Sequence, residues 1–227
     1  MKYEVILLDA DGTLFDFEMA ESHALEKLFE YYKFSESYDI LTEKYKKINI
    51  QLWKDLELGK ITSKELKIQR FRRLFSECSL DADFCEVSSA YVNFLSEGTF
   101  LLEGAEELCK YLSGKYRLVI ITNGIKEVQY ARLENSLINR YIQHLIVSEE
   151  ANSQKPDKGI FEYTFKKIQH TEKNSTLILG DSLSSDIQGG INFGIDTCWY
   201  NPGHDPNIKG LPVTYEIHHL LDLKKIL

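Results

Sequence analysis

The most informative segment of the sequence is Val5-Ile6-Leu7-Leu8-Asp9-Ala10-Asp11-Gly12-Thr13 (residues 5–13). Its first four residues are apolar and branched, which is typical of a strand that is buried on both faces. The strand runs into two carboxylates, and Gly12 allows a sharp turn directly after them. Open α/β sheets bind their ligands at the carboxyl edge of the strands. The stretch therefore predicts an α/β protein with a polar site beside Asp9 and Asp11.

Short apolar runs recur along the chain and predict four further strands, at Leu118–Ile121, Leu145–Val147, Leu177–Leu179 and Thr197–Tyr200. Helical patterns alternate with them, at Ala105–Leu112, Lys126–Leu137 and Lys158–Ile168. Strands that alternate with helices predict a parallel sheet with helices on both faces. The predicted fold class is thus α/β, with a Rossmann-like three-layer core around a central parallel sheet.

Residues 17–96 interrupt this alternation, because they show four amphipathic helical patterns and no strand pattern. Gly59 is placed to end the second helix. Thr62 and Glu65 have the spacing of a capping box that starts the third. The predicted domains are a core of residues 1–16 and 97–227 and an inserted helical-bundle cap of residues 17–96.

Composition narrows the classes of function. The net charge is −8, with 27 basic and 35 acidic side chains, which argues against a nucleic-acid-binding surface. No apolar run approaches the ~20 residues of a membrane-spanning helix. The four cysteines form no CxxC pair and no zinc spacing. We expect a cytoplasmic protein with small-molecule partners, neither nucleic acid nor membrane, and the oligomeric state stays open.

The acidic pair Asp9 and Asp11 suggests a cation. Two carboxylates at one turn repel each other unless a positive charge lies between them. A hard, oxygen-seeking ion such as Mg²⁺ provides that charge, and Mn²⁺ is equally compatible with oxygen ligands. A simple turn with a helix cap is the structural alternative.

Three further motifs follow the later strands. Thr122-Asn123-Gly124 offers a hydroxyl and backbone N–H groups for a phosphate, although such triplets are also common turns. Lys155 precedes a proline and could neutralise a phosphoryl oxygen, or could simply be solvated. Gly180-Asp181-Ser182, with Asp186 beyond it, could equally be an N-cap and a surface acid. All of the motifs fall at the same predicted sheet edge, which favours one shared site.

Taken in order, the motifs Asp-x-Asp-Gly-Thr, Thr-Asn-Gly, Lys-Pro and Gly-Asp-Ser-x-x-x-Asp resemble the haloacid dehalogenase-like hydrolase superfamily over the whole chain. Softer features resemble the bacterial pyrimidine 5′-nucleotidases: DADGTLFDF (9–17), LWKDLELGKITSKELKIQRF (52–71) and GGINFGIDTCWYN (189–201). The resemblance implies a Mg²⁺-dependent phosphatase that hydrolyses a small phosphate monoester.

The resemblance also implies roles. Asp9 is expected to be the nucleophile that forms an aspartyl-phosphate, and Asp11 the general acid and base. Mg²⁺ is expected on Asp9, Asp181 and the backbone carbonyl of Asp11. The phosphate-binding residues are then Thr122, Asn123 and Lys155, and Lys155 is also counted as catalytic. Asp186 either reaches the metal through water or steadies Lys155, and the remaining supporting residues are Gly12 and Ser182.

Several alternatives remain compatible with these motifs. Within the same fold they include a phosphoglycolate phosphatase, a sugar-phosphate phosphatase and a phosphomutase. A receiver-type signalling module also phosphorylates an aspartate, but its motif order differs and it lacks a cap. A catalytically silent scaffold is the third alternative, and the complete set of catalytic positions argues against it. Asp11 favours phosphatase or mutase chemistry, because dehalogenases need no acid to protonate an alcohol.

Overall fold

The structure, a computed structural model, describes residues 2–34 and 36–227. Contacts divide the chain into two compact units. One unit contains the residues up to Phe17 together with Thr99–Leu227, and the other is Glu18–Gly98. Among the described residues, no helix is both long and apolar enough to cross a membrane.

The first unit is built on a six-stranded sheet in the order β3-β2-β1-β4-β5-β6, and every neighbouring pair is parallel. The strands are β1 (Val5–Leu8), β2 (Arg117–Thr122), β3 (His144–Val147), β4 (Thr176–Gly180), β5 (Asp196–Tyr200) and β6 (Tyr215–Ile217). The predicted α/β class and parallel sheet are therefore confirmed. The short edge strand β6 was not predicted.

Helices cover both faces of the sheet. Ile6 and Leu8 pack in one apolar cluster with residues of the helices α5 (Ala105–Ser113) and α10 (Leu223–Ile226). Val5 and Leu7 pack in a second cluster with residues of α8 (Lys158–Lys167) and α9 (Gln188–Phe193). Successive side chains of a strand point to opposite faces, so the uninterrupted apolar run of β1 fits a strand buried on both sides.

Two further helices of this unit are α6 (Lys126–Glu134) and the one-turn α7 (Ser148–Ala151). The pattern predicted that α6 would continue to Leu137, but the helix ends three residues earlier. The reason is local competition for backbone groups. The Asn135 side chain donates to the carbonyl of Ala131 at 2.8 Å, and the Ser136 hydroxyl accepts from the N–H of Ile138 at 3.4 Å.

The described residues of the second unit form the helices α1 (Phe17–Tyr32), which starts one residue before the unit, α2 (Tyr38–Glu57), α3 (Ser63–Cys78) and α4 (Phe84–Glu97). Gly59 adopts a φ of 67° just beyond α2, as predicted. The Thr62 hydroxyl accepts from the Glu65 N–H at 3.2 Å, and the Glu65 carboxylate accepts from the Thr62 N–H at 2.8 Å, so the capping box is confirmed.

Candidate active site

Parallel register brings the predicted site residues to one edge of the sheet. Leu8 at the end of β1 lies opposite Leu179 of β4, so the chain leaves both strands at the same level. Asp9 follows β1, and its N–H donates to the carbonyl of Leu179 at 2.9 Å. Asp181 follows β4 in the same way. Two acidic residues from distant parts of the sequence are therefore neighbours because of strand pairing alone.

The turn after β1 fits closely around Asp181. Gly12 has a φ of 81°, and a Cβ at this position would lie 2.6 Å from Oδ2 of Asp181. Thr13 Oγ1 donates to Asp181 Oδ1 at 3.0 Å and accepts from the Asp181 N–H at 3.1 Å. The same hydroxyl is 3.5 Å from Asp9 Oδ2. Thr13 thus joins the two acids, although it was not among the predicted site residues.

Lys155 is the cation at the centre of this edge. Its Nζ donates to Asp9 Oδ1 at 2.5 Å, to Asp186 Oδ1 at 2.6 Å and to the carbonyl of Ile121 at 2.8 Å. Lys155 and Asp186 are each only 1% exposed. A buried ammonium is stable only with such partners. Of the two predicted roles for Asp186, the geometry favours holding Lys155.

Asn123 positions Lys155 through the backbone. Asn123 Nδ2 donates to the Lys155 carbonyl at 2.8 Å, and Asn123 Oδ1 accepts from the Lys155 N–H at 2.8 Å. Thr122 is buried, and its hydroxyl accepts from the N–H of Gly124 at 2.9 Å. The Asn123 side chain is therefore committed to Lys155. Direct phosphate binding by Thr122, the Asn123 backbone amide and Lys155 stays a prediction.

The charges at the site do not balance. Carboxylate oxygens of Asp9, Asp181 and Asp186 lie within 4.8 Å of one another, and one ammonium, that of Lys155, is bonded to two of these acids. Burial and the negative charge of Asp186 raise the pKa of Asp9 well above its usual range. The same two causes raise the pKa of Asp181 to about 6. Burial alone would lower the pKa of Lys155, but the charges of Asp186 and Asp9 outweigh it and keep the pKa raised.

These residues fit a magnesium ion. All the side-chain donors are carboxylate oxygens, the ligand type that Mg²⁺ prefers, and the surplus negative charge is what a divalent cation would offset. The two oxygens of Asp186 already accept from Lys155 and from the Ser182 N–H, the latter at 3.0 Å. Asp9 and Asp181, two of the predicted ligands, are therefore the better candidates within this group.

The Asp11 side chain has different partners from those of Asp9. Its two oxygens accept from Gln129 Nε2 and from Arg132 Nη1, each at 2.5 Å. Neither Gln129 nor Arg132 was predicted, although a signal exists in the sequence. Both lie beside Val128 and Leu133 on the buried face of α6, where long polar side chains are unusual without a partner.

Ser182 and Trp199 support the loop after β4. The Ser182 hydroxyl accepts from the N–H of Ser185 at 3.2 Å, so Ser182 caps the π-helical turn Leu183–Ile187. Trp199 Nε1 donates to the carbonyl of Asp181 at 2.8 Å. Trp199 was not predicted, because a tryptophan within a strand is more often a packing residue.

Comparisons with known proteins agree with this geometry. Residues 6–200 match the sequence profile of the haloacid dehalogenase-like hydrolases. The chain is 41% identical over 226 residues to the pyrimidine 5′-nucleotidase PynA of Streptococcus pneumoniae, covering 98% of this chain and 94% of that protein. It is 33% identical over 227 residues to the pyrimidine 5′-nucleotidase YjjG of Escherichia coli, covering 100% and 99%.

A solved structure shows the same similarity in three dimensions. The HAD-hydrolase YfnB of Bacillus subtilis, crystallised bound to magnesium, is 40% identical and superimposes with a TM-score of 0.91 over 100% of this chain and 99% of that one. The predicted family is therefore confirmed by sequence and by fold. This chain belongs to the haloacid dehalogenase-like hydrolase family, and it is one of its phosphatases.

Proposed function

We propose that the protein is a magnesium-dependent 5′-nucleotidase that hydrolyses pyrimidine nucleoside monophosphates through an aspartyl-phosphate on Asp9. The observation that carries this proposal is the arrangement of Asp9, Asp181 and Lys155, of which Asp9 and Lys155 are buried, so that acidic groups and a cation converge at the edge of the sheet. The pyrimidine preference rests on the similarity to PynA and YjjG.

In the first half of the reaction, a carboxylate oxygen of Asp9 attacks the phosphorus of the monoester and the bond to the leaving oxygen breaks. Asp11, protonated at this stage, gives its proton to the leaving alkoxide, which departs as the nucleoside. The Lys155 ammonium, held by Asp186, offsets negative charge beside Asp9. Positioning and charge neutralisation account for most of the catalysis of phosphoryl transfer.

In the second half, water attacks the phosphorus of the aspartyl-phosphate and Asp11 accepts a proton from this water. The phosphorus–oxygen bond to Asp9 breaks, which releases inorganic phosphate and restores the Asp9 carboxylate. The net reaction consumes one monoester and one water and yields one nucleoside and one phosphate. Asp9, Asp181 and the backbone carbonyl of Asp11 would hold Mg²⁺, which would neutralise charge on the phosphoryl oxygens.

The helical unit stays proposed as the cap that selects the leaving group, with its predicted range of residues 17–96. This assignment rests on the insertion of a helical unit between β1 and β2. Phosphoglycolate and sugar phosphates remain the substrates of the competing phosphatases, so a substrate panel is the direct test.

The experiment measures phosphate release from UMP, dUMP, dTMP, purine nucleotides, phosphoglycolate and hexose phosphates, with Mg²⁺ and with a chelator. We expect Mg²⁺-dependent release that is fastest with the pyrimidine nucleotides and absent in Asp9→Asn. Preference for a different monoester would overturn the nucleotidase assignment alone. Activity that persists in Asp9→Asn would overturn the covalent mechanism.

A further inference from the structure

Two side chains of α6 hold the carboxylate of Asp11 at both oxygens. Gln129 Nε2 donates to Oδ2 and Arg132 Nη1 donates to Oδ1, each at 2.5 Å. We call Gln129 and Arg132 the Asp11 clamp. Because each oxygen has its own donor, rotation of the carboxylate about its side-chain bonds would break at least one hydrogen bond.

The clamp is itself held in place by packing. Arg132 is completely buried and Gln129 is 2% exposed. The guanidinium carbon of Arg132 lies 4.6 Å from the ring centroid of Phe15, a cation–π distance. A Cβ on Gly124 would lie 2.2 Å from Gln129 Nε2. The absence of a side chain at Gly124 therefore leaves space for the Gln129 side chain to reach Asp11. Neither donor can move far without disturbing the core.

An acidic side chain at the surface does not need a buried hydrogen-bond donor for each of its two oxygens. Burying a guanidinium removes it from water, and only a well-placed anionic partner compensates for that loss. Here the partner is a carboxylate on the turn directly after β1, two residues from Asp9. Proton transfer depends steeply on geometry, and a displacement of about 1 Å can cost ~10²-fold in rate. A carboxylate that gives and takes protons therefore benefits from a rigid support.

We propose that the Asp11 clamp positions Asp11 for both proton transfers, to the leaving alkoxide and from the attacking water. The inference rests on the proposed function, in which Asp11 is the general acid and base. Gln129 and Arg132 are positioning residues: they exchange no proton and end the cycle unchanged. Asp11 loses one proton to the leaving nucleoside in the first half of the reaction and gains one from water in the second.

The test compares two monoesters that differ in their need for a proton. The alkoxide that leaves UMP must be protonated, whereas the nitrophenolate that leaves p-nitrophenyl phosphate need not be. Rapid mixing with Mg²⁺ measures release of uridine and of nitrophenol in the first turnover. The variants are Gln129→Met and Arg132→Met, which keep length and packing, Arg132→Lys, which keeps the charge, and Asp11→Asn as the reference.

We expect both methionine variants to slow first-turnover release of uridine ~10- to 100-fold and that of nitrophenol by less than ~3-fold. Asp11→Asn should show the same selective loss to a larger extent. KM for UMP should stay within about 3-fold. Arg132→Lys should recover part of the loss. Gln143→Met is the matched control, because the exposed Gln143 side chain accepts from Arg117 Nε at 3.4 Å beside the amino ends of β2 and β3, and its release rates should equal those of the wild type.

Equal slowing of both substrates would assign the clamp a purely structural role, and unchanged or faster release of uridine would also overturn the proposal. Thermal unfolding of each variant identifies any that fails to fold. Gln129→Met, which is uncharged and similar in size, keeps the test decisive if Arg132→Met does not fold.

An active Asp9→Asn would instead refute the proposed function. If Asp11→Asn shows the selective loss and both methionine variants match the wild type, the clamp inference alone is wrong.

Discussion

The Asp181 carboxylate occupies the space where a side chain on Gly12 would begin, since a Cβ there would lie 2.6 Å from Oδ2. Gly12→Ala should therefore displace Asp181 in addition to straining a backbone with a φ of 81°. We expect the variant to lose at least ~10-fold in kcat/KM and to need more Mg²⁺ for half-maximal activity. Phosphate release as a function of Mg²⁺ concentration measures both.

Gly194→Ala is the matched control for this variant. Gly194 has a φ of 88°, and no atom of the described residues, its two chain neighbours apart, lies within 4 Å of a Cβ placed there. The left-handed strain should cost about 1–2 kcal/mol of unfolding free energy in both variants. Activity and Mg²⁺ dependence should change in Gly12→Ala alone. An equal loss of activity in Gly194→Ala would show that backbone strain, not crowding of Asp181, is responsible.

Asn123→Ala should weaken the placement of Lys155. The substitution removes both hydrogen bonds between the Asn123 side chain and the Lys155 backbone, which are 2.8 Å long. We expect kcat to fall ~10- to 100-fold and the unfolding free energy to fall by about 1–3 kcal/mol, because two polar backbone groups lose their partners. Steady-state kinetics and urea unfolding measure the two effects. A raised KM with unchanged kcat would indicate that Asn123 serves substrate binding instead.

The positions of Asp9, Asp181 and Lys155 at one sheet edge could be predicted because each follows an apolar run or lies in the loop beyond one, and such runs predict the strands of a parallel sheet. Each run of β1, β2 and β4 ends within two residues of a polar motif, so parallel pairing brings those motifs to one edge. The edge strand β6 was missed for a physical reason. It has three residues, and Ile217 is the one that is buried, so it leaves no apolar run to detect.

The Asp11 clamp was missed because nothing in a strand-end motif points to it. Gln129 and Arg132 lie within a helix, and a pattern of apolar residues predicts the helix without saying why two polar side chains interrupt its buried face. Their role depends on where α6 lies relative to the turn that contains Asp11. That placement is a tertiary property, and the local sequence does not encode it.

Without metal, the protein should become less stable as the pH rises from 5 to 7. The pKa of the Asp181 carboxyl is near 3.8 in the unfolded chain and about 6 in the folded protein. The folded state therefore binds more protons between these values, and this stabilisation is present below pH 4 and lost as the pH passes 6. The loss over the whole range from pH 4 to above pH 6 should be on the order of 3 kcal/mol, of which about 1–1.5 kcal/mol falls between pH 5 and pH 7.

Saturating Mg²⁺ should largely remove this loss above pH 6, because a bound cation replaces the proton as the compensating charge. Denaturant unfolding at pH 5, 6 and 7, with chelator and with Mg²⁺, measures the difference. In Asp181→Asn, the decline with chelator should be reduced. Stability in chelator that rises between pH 5 and pH 7 would contradict the raised pKa of Asp181.

Removing the Lys155 ammonium should expose the repulsion among the three acids. Lys155→Met leaves Asp9, Asp181 and Asp186 without the cation that is bonded to two of them. In chelator, we expect a loss of about 3–5 kcal/mol of unfolding free energy, as for other broken buried ion pairs, together with loss of measurable phosphatase activity. Adding Asp186→Asn to Lys155→Met should restore part of the stability and none of the activity, because it removes one buried charge but supplies no cation.

Lys126→Met is the control, since the ammonium of Lys126 pairs with Glu150 at 3.0 Å on the surface and should contribute less than about 1 kcal/mol. If the double variant were less stable than Lys155→Met, repulsion among the acids would not be the cause, and Asp186 would stabilise the fold through its bond to Ser182 instead.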